Sequence, residues 1–272
     1  MDLSAPKVMG IINATPDSFY AGSRAESEEA VGRRAEQLVA EGADILDVGA
    51  ESTRPGAAAI DADEEWSRLA PALEAVRRRL PNVPLSVDTY RASVARRAVS
   101  EYGVDFINDI SCGEQDAAMF ETVASLGVPY VLTSNKGDFV EVVRQLAEKL
   151  QQLYALGVAD VILDPGFGFG KTLEQNYDIM RQLADFKLAF PGEPLLVGIS
   201  RKSMIYRLLD TTPEQALTGT TVLNTFALQA GAHILRVHDV REAVETIKIV
   251  GQLHNSQSDN CPQGNNLDFV KS

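Results

Sequence analysis

Cysteine, histidine and basic side chains are scarce in this sequence, and each shortage excludes a class of protein. Two cysteines, Cys112 and Cys261, are too few for a disulfide framework or a zinc-binding spacing. Three histidines, one of them His254 in a polar tail, show no serine–histidine–aspartate arrangement. The 25 basic residues against 38 acidic ones give a net charge of −13, which argues against nucleic acid or a membrane surface as a general partner. A local basic pocket for an anion is compatible with this charge.

Long apolar runs are absent as well. No run of about 18 apolar residues predicts a membrane span. The polar segment Met1–Lys7 leads directly into a strand, so we predict no signal peptide. We therefore expect a cytoplasmic protein with reduced cysteines. The 272 residues, 45% of them hydrophobic, are enough to bury a sizeable core.

Eight short apolar runs, each predicted to be a strand, alternate with amphipathic helical stretches. The predicted strands begin at residues 8, 44, 84, 104, 128, 160, 194 and 232. Short apolar strands are typical of a parallel sheet that is buried on both faces. Eight βα units in about 250 residues predict an α/β fold of the (β/α)8 TIM-barrel type. A doubly wound open sheet is the alternative, and the lack of a nucleotide-binding fingerprint disfavours it.

We expect a single domain over residues 1–253, followed by a polar tail over 254–272 that lacks periodicity and is predicted to be disordered. Among the predicted elements are a strand over Pro194–Ser200, one helix over Leu173–Ala189 and a last helix over Val240–Leu253.

The stretch Val161–Lys171, with the sequence VILDPGFGFGK, combines a buried strand with a site-like loop. Asp164 stands at the end of the strand, and three glycines then alternate with two phenylalanines. Glycines let a backbone approach a ligand closely, which favours a binding site. An aspartate that caps the next helix after a tight turn explains the same stretch equally well. GFGFG lacks the spacing of a Walker loop.

Polar residues recur at the predicted strand ends, where the active site of a parallel barrel lies. Asp88, Asn108 and Asp164 form a carboxylate and carboxamide group, which suits the N–H edge of a planar, nitrogen-rich ring. A second group is cationic and suits a diphosphate or carboxylate; it comprises Arg54, Arg201 or Lys202, Arg236 and His238. The alternative roles are helix N-capping for the first group and solvated loop charge for Arg236 and His238.

Seven ordered blocks of the sequence resemble dihydropteroate synthase over roughly residues 7–252. The blocks are MGIINATPDSF (9–19), DVGAESTRPGA (47–57), SVDT (86–89), INDIS (107–111), DPGFGFGKT (164–172), GISRKSMI (198–205) and RVHDV (236–240). The resemblance implies a (β/α)8 barrel of folate biosynthesis. It also implies that 6-hydroxymethyl-7,8-dihydropterin diphosphate and p-aminobenzoate are joined by an SN1-like route, with Mg²⁺ as cofactor and diphosphate as the product released.

The resemblance assigns roles to individual positions of this sequence. Asp88, Asn108, Asp164, Lys202 and Arg236 match the pterin pocket, and all of these except Asn108 match catalytic positions. Asn13 matches the Mg²⁺ ligand, and it binds the diphosphate together with Arg54, Arg236 and His238. The p-aminobenzoate side is matched by Phe19, Thr53, Pro55 and Ser200. The family is the target of sulfonamides, which mimic p-aminobenzoate, and it is commonly homodimeric through its later helices.

One loop departs from the family pattern. After strand five the family has Met-His-Met-x-Gly, whereas this sequence has Thr133-Ser134-Asn135-Lys136-Gly137 and a shorter loop before the next helix. Loss of the first methionine removes an apolar wall, worth of the order of 1–2 kcal/mol of pterin binding. Two alternatives to an active synthase therefore stay open: a diverged paralogue or loop variant that binds pterin with weak or no turnover, and a pterin-dependent methyltransferase on a related barrel.

Overall fold

The computed structural model describes residues 2–14, 24–51 and 60–258, and these form a parallel barrel surrounded by helices. Its sheet has eight strands in the order β6-β5-β4-β3-β2-β1-β8-β7 among the described residues. The two ends of this sheet meet through a parallel bridge between Leu163 and Leu195, where the Leu163 amide donates to the carbonyl of Pro194 at 2.9 Å. The TIM-barrel class predicted from the βα alternation is confirmed.

The strands are short, and nearly all of their residues are buried. Their bounds are Lys7–Asn13 (β1), Ile45–Gly49 (β2), Leu85–Asp88 (β3), Phe106–Asp109 (β4), Tyr130–Thr133 (β5), Val161–Asp164 (β6), Leu196–Val197 (β7) and Ile234–Val237 (β8).

Helices follow the strands and cover the outside of the barrel. In the described part of the chain they are Arg24–Glu41 (α1), Ala62–Arg79 (α2), Ala92–Tyr102 (α3), Met119–Leu126 (α4), Phe139–Ala155 (α5), Leu173–Arg181 (α6), Leu183–Ala189 (α7), Ser203–Tyr206 (α8), Leu217–Gln229 (α9) and Val240–Ser258 (α10), with a 3₁₀ turn at Pro213–Gln215. No described helix is long and apolar enough to cross a membrane. The cytoplasmic location stays a prediction.

Local signals in the sequence set several helix ends. Asp61 caps α2 by accepting from the Glu64 amide at 2.8 Å, and Asp138 caps α5 in the same way. Thr172 and Gln175 form a reciprocal capping box at the start of α6. Gly103 ends α3 in the left-handed conformation that glycine adopts without strain. Asp61, Asp138 and Thr172 therefore fix where their helices begin, and Gly103 fixes where α3 ends.

The hydrophobic core has two parts, separated by the wall of the barrel. The larger part lies between the sheet and the helices. The smaller part fills the barrel interior with side chains from alternate strand positions: Met9, Ile45, Phe106, Val131, Ile162, Leu196 and Ile234. This apolar plug closes the bottom of the barrel and leaves the carboxyl ends of the strands for polar residues.

Three predicted elements differ from the structure. The helix over Leu173–Ala189 is two helices, because the chain tightens at Gln182, whose amide is shared between the carbonyls of Asp178 and Ile179. The seventh strand shrinks to Leu196–Val197, since Pro194 has no N–H to donate and β6 meets this segment through a single bridge. The last helix continues to Ser258, five residues beyond Leu253, because neither proline nor glycine interrupts it there. Residues 259–272 of the predicted tail lie outside the described residues.

Candidate active site

Strand alternation carries the predicted polar residues to the barrel mouth. Side chains two positions apart on a strand share a face. Two residues beyond the apolar plug, the inward positions are therefore Asp47 after Ile45, Asn108 after Phe106, Thr133 after Val131, Asp164 after Ile162 and Arg236 after Ile234. Ser86 and Asp88 take the equivalent positions on β3, since Asp47 pairs with Ser86 and Gly49 with Asp88 in the ladder. The side chains inside the barrel thus change from apolar to polar or charged two residues further along each strand.

Arg236 bridges two carboxylates at the centre of this polar layer. Its Nε donates to Asp47 Oδ2 at 2.7 Å, and its Nη2 donates to Asp88 Oδ2 at 2.6 Å. Asp47 is fully buried, whereas the side chains of Arg236 and Asp88 retain 16% exposure at the mouth. Asn108 joins the cluster through its Nδ2, which donates to Asp47 Oδ2 at 3.0 Å. Arg236 therefore pairs with residues of two other strands and is linked through Asp47 to a third.

The carboxyl group of Asp88 is tuned by its surroundings. Burial raises its pKa to about 7, with the nearby Asp47 charge acting in the same direction and Arg236 opposing it. The group therefore holds or releases a proton near neutral pH. A carboxyl group with a pKa near 7 accepts a hydrogen bond from an N–H donor when it is ionised. It can also gain or lose a proton when the charge of a bound ring changes.

Asp164 lies at the tip of β6 and is buried. Its Oδ1 accepts from the Gly166 amide at 2.7 Å, which leaves the second oxygen, Oδ2, to face the mouth beside the backbone of Gly198. Burial raises the pKa of Asp164, while Lys202 and Gly166 act to lower it. Gly198 has no side chain, so space remains open next to the carboxylate.

The glycine loop after β6 is built by backbone geometry that other residues adopt only with strain. Gly166, Gly168 and Gly170 have φ values of +76°, +82° and +63°. A Cβ on Gly166 would lie 1.8 Å from the carbonyl oxygen of Ser134, so the loops after β5 and β6 touch backbone to backbone. The loop therefore acts as a compact wall of the site.

Lys202 reaches back across this wall from the loop after β7. Its ammonium group contacts the carbonyl oxygen of Phe167 and lies 4.3 Å from the centre of the Phe169 ring. Burial lowers the pKa of Lys202 to about 8, although Asp164 and Asp88 act to raise it. The cation is therefore held beside Asp164 with its proton weakly bound.

The other cations of the predicted set divide between the site and the scaffold. His238 follows β8, and both its amide nitrogen and its Nδ1 lie 3.1 Å from the buried Ser200 Oγ. Burial and the charge of Arg236 lower the pKa of His238 to about 4, so the imidazole is neutral at pH 7. Asn13 is exposed at the end of β1, where the mouth opens.

Arg201 is not a site cation, which corrects the choice left open between Arg201 and Lys202. Its Nε and Nη2 donate to the two carboxylate oxygens of Asp239 at 2.9 and 2.6 Å. The fork is occupied by this bidentate pair, and the backbone at Arg201 turns through a φ of +55°. The turn sends the neighbouring Lys202 side chain to the opposite side.

The short loop after β5 is held by side-chain hydrogen bonds. Ser134 Oγ donates to Gln145 Oε1 at 2.6 Å, and the Gln145 amide donates to Glu114 and Asn135 at 3.0 Å each. Thr133 is buried, and its Oγ1 lacks a hydrogen-bond partner among the described residues. Thr133 thus places a small hydroxyl side chain where the family pattern has an apolar methionine, and the hydrogen bonds of the following loop hold its backbone in place.

Four predicted residues, Phe19, Thr53, Arg54 and Pro55, lie outside the described residues. The helix-capping role that was the alternative for Asp88, Asn108 and Asp164 is wrong. The N-cap positions of the helices that follow Asp88, Asn108 and Asp164 are occupied by Arg91, Ala118 and Thr172, respectively, and only Thr172 caps with its side chain.

Sequence reasoning missed two residues of the site. Asp47 is not among the predicted site residues, although its place two residues after Ile45 signals an inward position. Lys171 follows the last glycine of the loop, and the sequence predicts no role for it. Its ammonium donates to the carbonyls of Gly166 at 2.7 Å, Phe169 at 3.1 Å and Ser134 at 3.3 Å. Burial lowers the pKa of Lys171 to about 8. No pattern in the sequence indicates these carbonyl contacts.

Cys112 has no catalytic character. It is buried, and burial with the nearby Asp109 charge raises the pKa of its thiol to about 12. This environment indicates a structural role.

Comparison with known proteins places this geometry in a family. The pterin binding enzyme model matches residues 9–238. The dihydropteroate synthase of Escherichia coli K12 is 41% identical over 265 residues, which cover 92% of each chain. Among solved structures, the Xanthomonas albilineans dihydropteroate synthase with 4-aminobenzoic acid has a TM-score of 0.87 at 38% identity, covering 93% of this chain and 95% of its own. The Yersinia pestis dihydropteroate synthase in a sulfonamide drug complex has a TM-score of 0.84 at 37% identity, covering 94% and 96%.

Proposed function

Since this chain belongs to the dihydropteroate synthase family of pterin binding enzymes, we propose that the polar barrel mouth is where its reaction takes place. The protein is a transferase of folate biosynthesis. It condenses 6-hydroxymethyl-7,8-dihydropterin diphosphate with p-aminobenzoate and yields 7,8-dihydropteroate and diphosphate. The observation that carries the site assignment is the inward cluster in which Arg236 joins Asp47 and Asp88 beside Asn108, with Asp164 and Lys202 across the mouth.

The pterin ring is assigned to the side of the mouth that carries Asp88, Asn108, Asp164 and Lys202. Asp164 offers a free carboxylate oxygen to the amino-pyrimidine edge of the ring, because its other oxygen is committed to Gly166. Asn108 offers an acceptor oxygen, because its amide N–H is committed to Asp47. Lys202 supplies a donor. Gly198 leaves room for a flat ring beside Asp164.

The diphosphate is assigned to Asn13, Arg236 and His238, together with Arg54 from the segment that the structure does not describe. Arg236 stands at the boundary of the two sides and serves both ring and diphosphate. His238 is neutral at pH 7 and therefore acts as a hydrogen-bond donor rather than a charge. Neutralising the diphosphate makes it a better leaving group.

Mg²⁺ is the proposed cofactor, with Asn13 as its protein ligand. An exposed amide oxygen at the end of β1 suits this ion, which typically keeps few protein ligands and takes the rest from substrate phosphates and water. When bound, Mg²⁺ would offset the negative charge of the departing diphosphate.

The bond between the pterin methylene and the diphosphate breaks first in the proposed SN1-like route. The positive charge left on the pterin is stabilised by the ring itself and by the carboxylates of Asp88 and Asp164 at the barrel mouth. The neutral amine of p-aminobenzoate then attacks the methylene carbon and loses a proton. No nucleophile from the enzyme is needed. The p-aminobenzoate side is assigned to Phe19, Thr53, Pro55 and Ser200. Sulfonamides are expected to compete there, as the Yersinia complex suggests.

The short loop after β5 does not change this assignment. The loop is held by its own hydrogen bonds, and the recognition groups stand on other strands. Neither the inactive paralogue nor the methyltransferase is favoured by the relatives, which are dihydropteroate synthases over about nine-tenths of the chain.

A homodimer through α9 and α10 is proposed as well. These helices pack together, and they expose Val222 and Phe226 on α9 and Ile249 and Leu253 on α10 by 49–65%. Four large apolar side chains exposed on two neighbouring helices favour a protein–protein interface. Light scattering on the native protein and on Phe226→Arg tests this proposal. A native dimer that becomes a monomer in the variant supports it, and a native monomer contradicts it.

The test of function is release of diphosphate from the dihydropterin diphosphate in the presence of p-aminobenzoate and Mg²⁺. Binding of pterin without turnover would support the paralogue instead. Binding of p-aminobenzoate discriminates the synthase from a methyltransferase.

A further inference from the structure

We propose that Asp47 is a positioning residue for the condensation, acting through Asn108 and Arg236 without touching the substrate. The inference rests on the proposed function and deepens it. It names the group that decides which atoms of the pocket face the pterin diphosphate.

The contacts of Asp47 are unusually one-sided. The side chain is fully buried, and its Oδ2 accepts from Asn108 Nδ2 at 3.0 Å and from Arg236 Nε at 2.7 Å. Its Oδ1 is buried and accepts from no described residue. A buried carboxylate with one oxygen unpaired is costly to fold. Stability alone therefore does not account for a charge at this position.

The first consequence concerns the amide of Asn108, which can present either its oxygen or its NH₂ group to the pocket. The carboxylate of Asp47 only accepts hydrogen bonds, so it fixes the NH₂ end of the Asn108 amide toward itself. The oxygen of Asn108 is then the end available to a pterin N–H. A neutral amide at position 47 can pair with either end of Asn108 and no longer decides between the two orientations.

The second consequence concerns the guanidinium of Arg236. Asp47 and Asp88 hold its Nε and Nη2, and no described residue accepts from its Nη1. Two carboxylates on neighbouring strands define the plane of the group. We assign the remaining Nη1 to the anionic substrate. Without Asp47, the guanidinium keeps one anchor and can rotate about it.

The experiment compares Asp47→Asn with the native enzyme. Calorimetry with 6-hydroxymethyl-7,8-dihydropterin, which cannot react, measures pterin binding. We expect the affinity to fall about 10- to 100-fold, the size of one to two lost hydrogen bonds to a charged group. In steady-state assays, KM for the dihydropterin diphosphate should rise while KM for p-aminobenzoate stays within about twofold of the native value, because Ser200, the described residue of the assigned p-aminobenzoate side, pairs with His238 and not with Asp47.

The matched control is Ser86→Ala. Ser86 is the ladder neighbour of Asp47, is equally buried, and its Oγ has no described hydrogen-bond partner. This variant disturbs the same interior layer without removing a contact, so we expect binding within about twofold of the native enzyme.

A double-mutant cycle separates positioning from general damage. If Asp47 acts partly through Asn108, the loss in Asp47→Asn with Asn108→Ala is at least about threefold smaller than the product of the separate losses. Independent, multiplying losses contradict the proposal. Pterin binding within about threefold of native in a folded Asp47→Asn variant contradicts it as well.

Thermal melting of every variant is measured alongside binding. If Asp47→Asn does not fold, Asp47→Ser is assayed in the same way. Failure of both variants to fold assigns Asp47 to the structure of the barrel and overturns the proposal. If the native enzyme itself does not bind the pterin, the proposed function fails and the role of Asp47 in it fails for that separate reason.

Discussion

Asp164 gives the sharpest prediction about substrate recognition. Asp164→Asn preserves the shape of the side chain, and its Oδ1 can still accept from the Gly166 amide, a bond of 2.7 Å in the native site. The other end changes from an acceptor oxygen to an NH₂ donor. The substitution therefore reverses the hydrogen-bonding sense of the atom assigned to the pterin and leaves the loop contact in place.

The expected loss follows from that reversal. A hydrogen bond to a charged group contributes roughly 1.5–3 kcal/mol, and two donors facing each other add a desolvation cost. We expect pterin binding to weaken by about 2–4 kcal/mol, roughly 30- to 1,000-fold in Kd. Folding should not suffer. Burial raises the pKa of Asp164 in the native state, so keeping this carboxylate ionised costs free energy in the folded protein. A neutral asparagine removes that penalty, and the melting temperature should be equal or higher.

Calorimetry with 6-hydroxymethyl-7,8-dihydropterin measures the loss, and thermal melting checks the fold. Asp160→Asn is the matched control, because Asp160 is exposed just before the same strand, at the opposite end of the barrel. The control should bind like the native enzyme. Affinity within about threefold of native in a folded Asp164→Asn variant would refute the role given to this carboxylate.

Four further predictions follow from the same geometry. Gly166→Ala should destabilise the fold by about 2 kcal/mol or more, because a Cβ would lie 1.8 Å from the Ser134 carbonyl oxygen at a φ of +76°; urea unfolding measures this, with Gly192→Ala, which meets no atom within 4 Å, as the tolerated control. Pterin affinity should fall about tenfold between pH 7 and pH 9, because Lys202, with its pKa of about 8, loses its proton. Lys202→Arg should abolish that decline, since arginine stays charged. An unchanged pH profile in the variant assigns the titration to another group. The same lowered pKa means that the unfolded chain holds the Lys202 proton more tightly, so the Lys202 contribution to stability should rise with pH from about 8 to 10.5 and be missing in Lys202→Met, as urea titrations at several pH values would report. Sulfonamide should inhibit diphosphate release in competition with p-aminobenzoate; release that persists in excess drug contradicts the assigned p-aminobenzoate side.

Much of the architecture is legible in the sequence because it depends on short-range patterns. The alternation of Ile45 with Asp47, or of Ile162 with Asp164, determines which side chains point inward once the strands are located. The barrel class follows from the number and order of the βα units. The polar strand ends then converge, since parallel strands bring their carboxyl ends to the same rim.

The remainder depends on contacts that no local pattern encodes. Arg236 meets Asp47 across 189 residues, so their pairing exists only once the barrel has closed. Arg201 and Lys202 are adjacent cations, and a positive φ together with the carboxylate of Asp239 decides which of them enters the site. The break at Gln182 lies in a stretch without proline or glycine. For Arg236 and Arg201, a distant partner decides the outcome, and for Gln182 the bonding of its own amide to Asp178 and Ile179 does so.

The central claim is that this barrel joins the dihydropterin diphosphate to p-aminobenzoate at the rim formed by Asp88, Asn108, Asp164, Lys202 and Arg236. A diphosphate-release assay with and without p-aminobenzoate, in the presence of Mg²⁺, tests it most directly. We predict release that accompanies formation of 7,8-dihydropteroate and that falls sharply in Asp164→Asn. Release no greater than background, from native protein shown by its cooperative melting to be folded, would contradict the account.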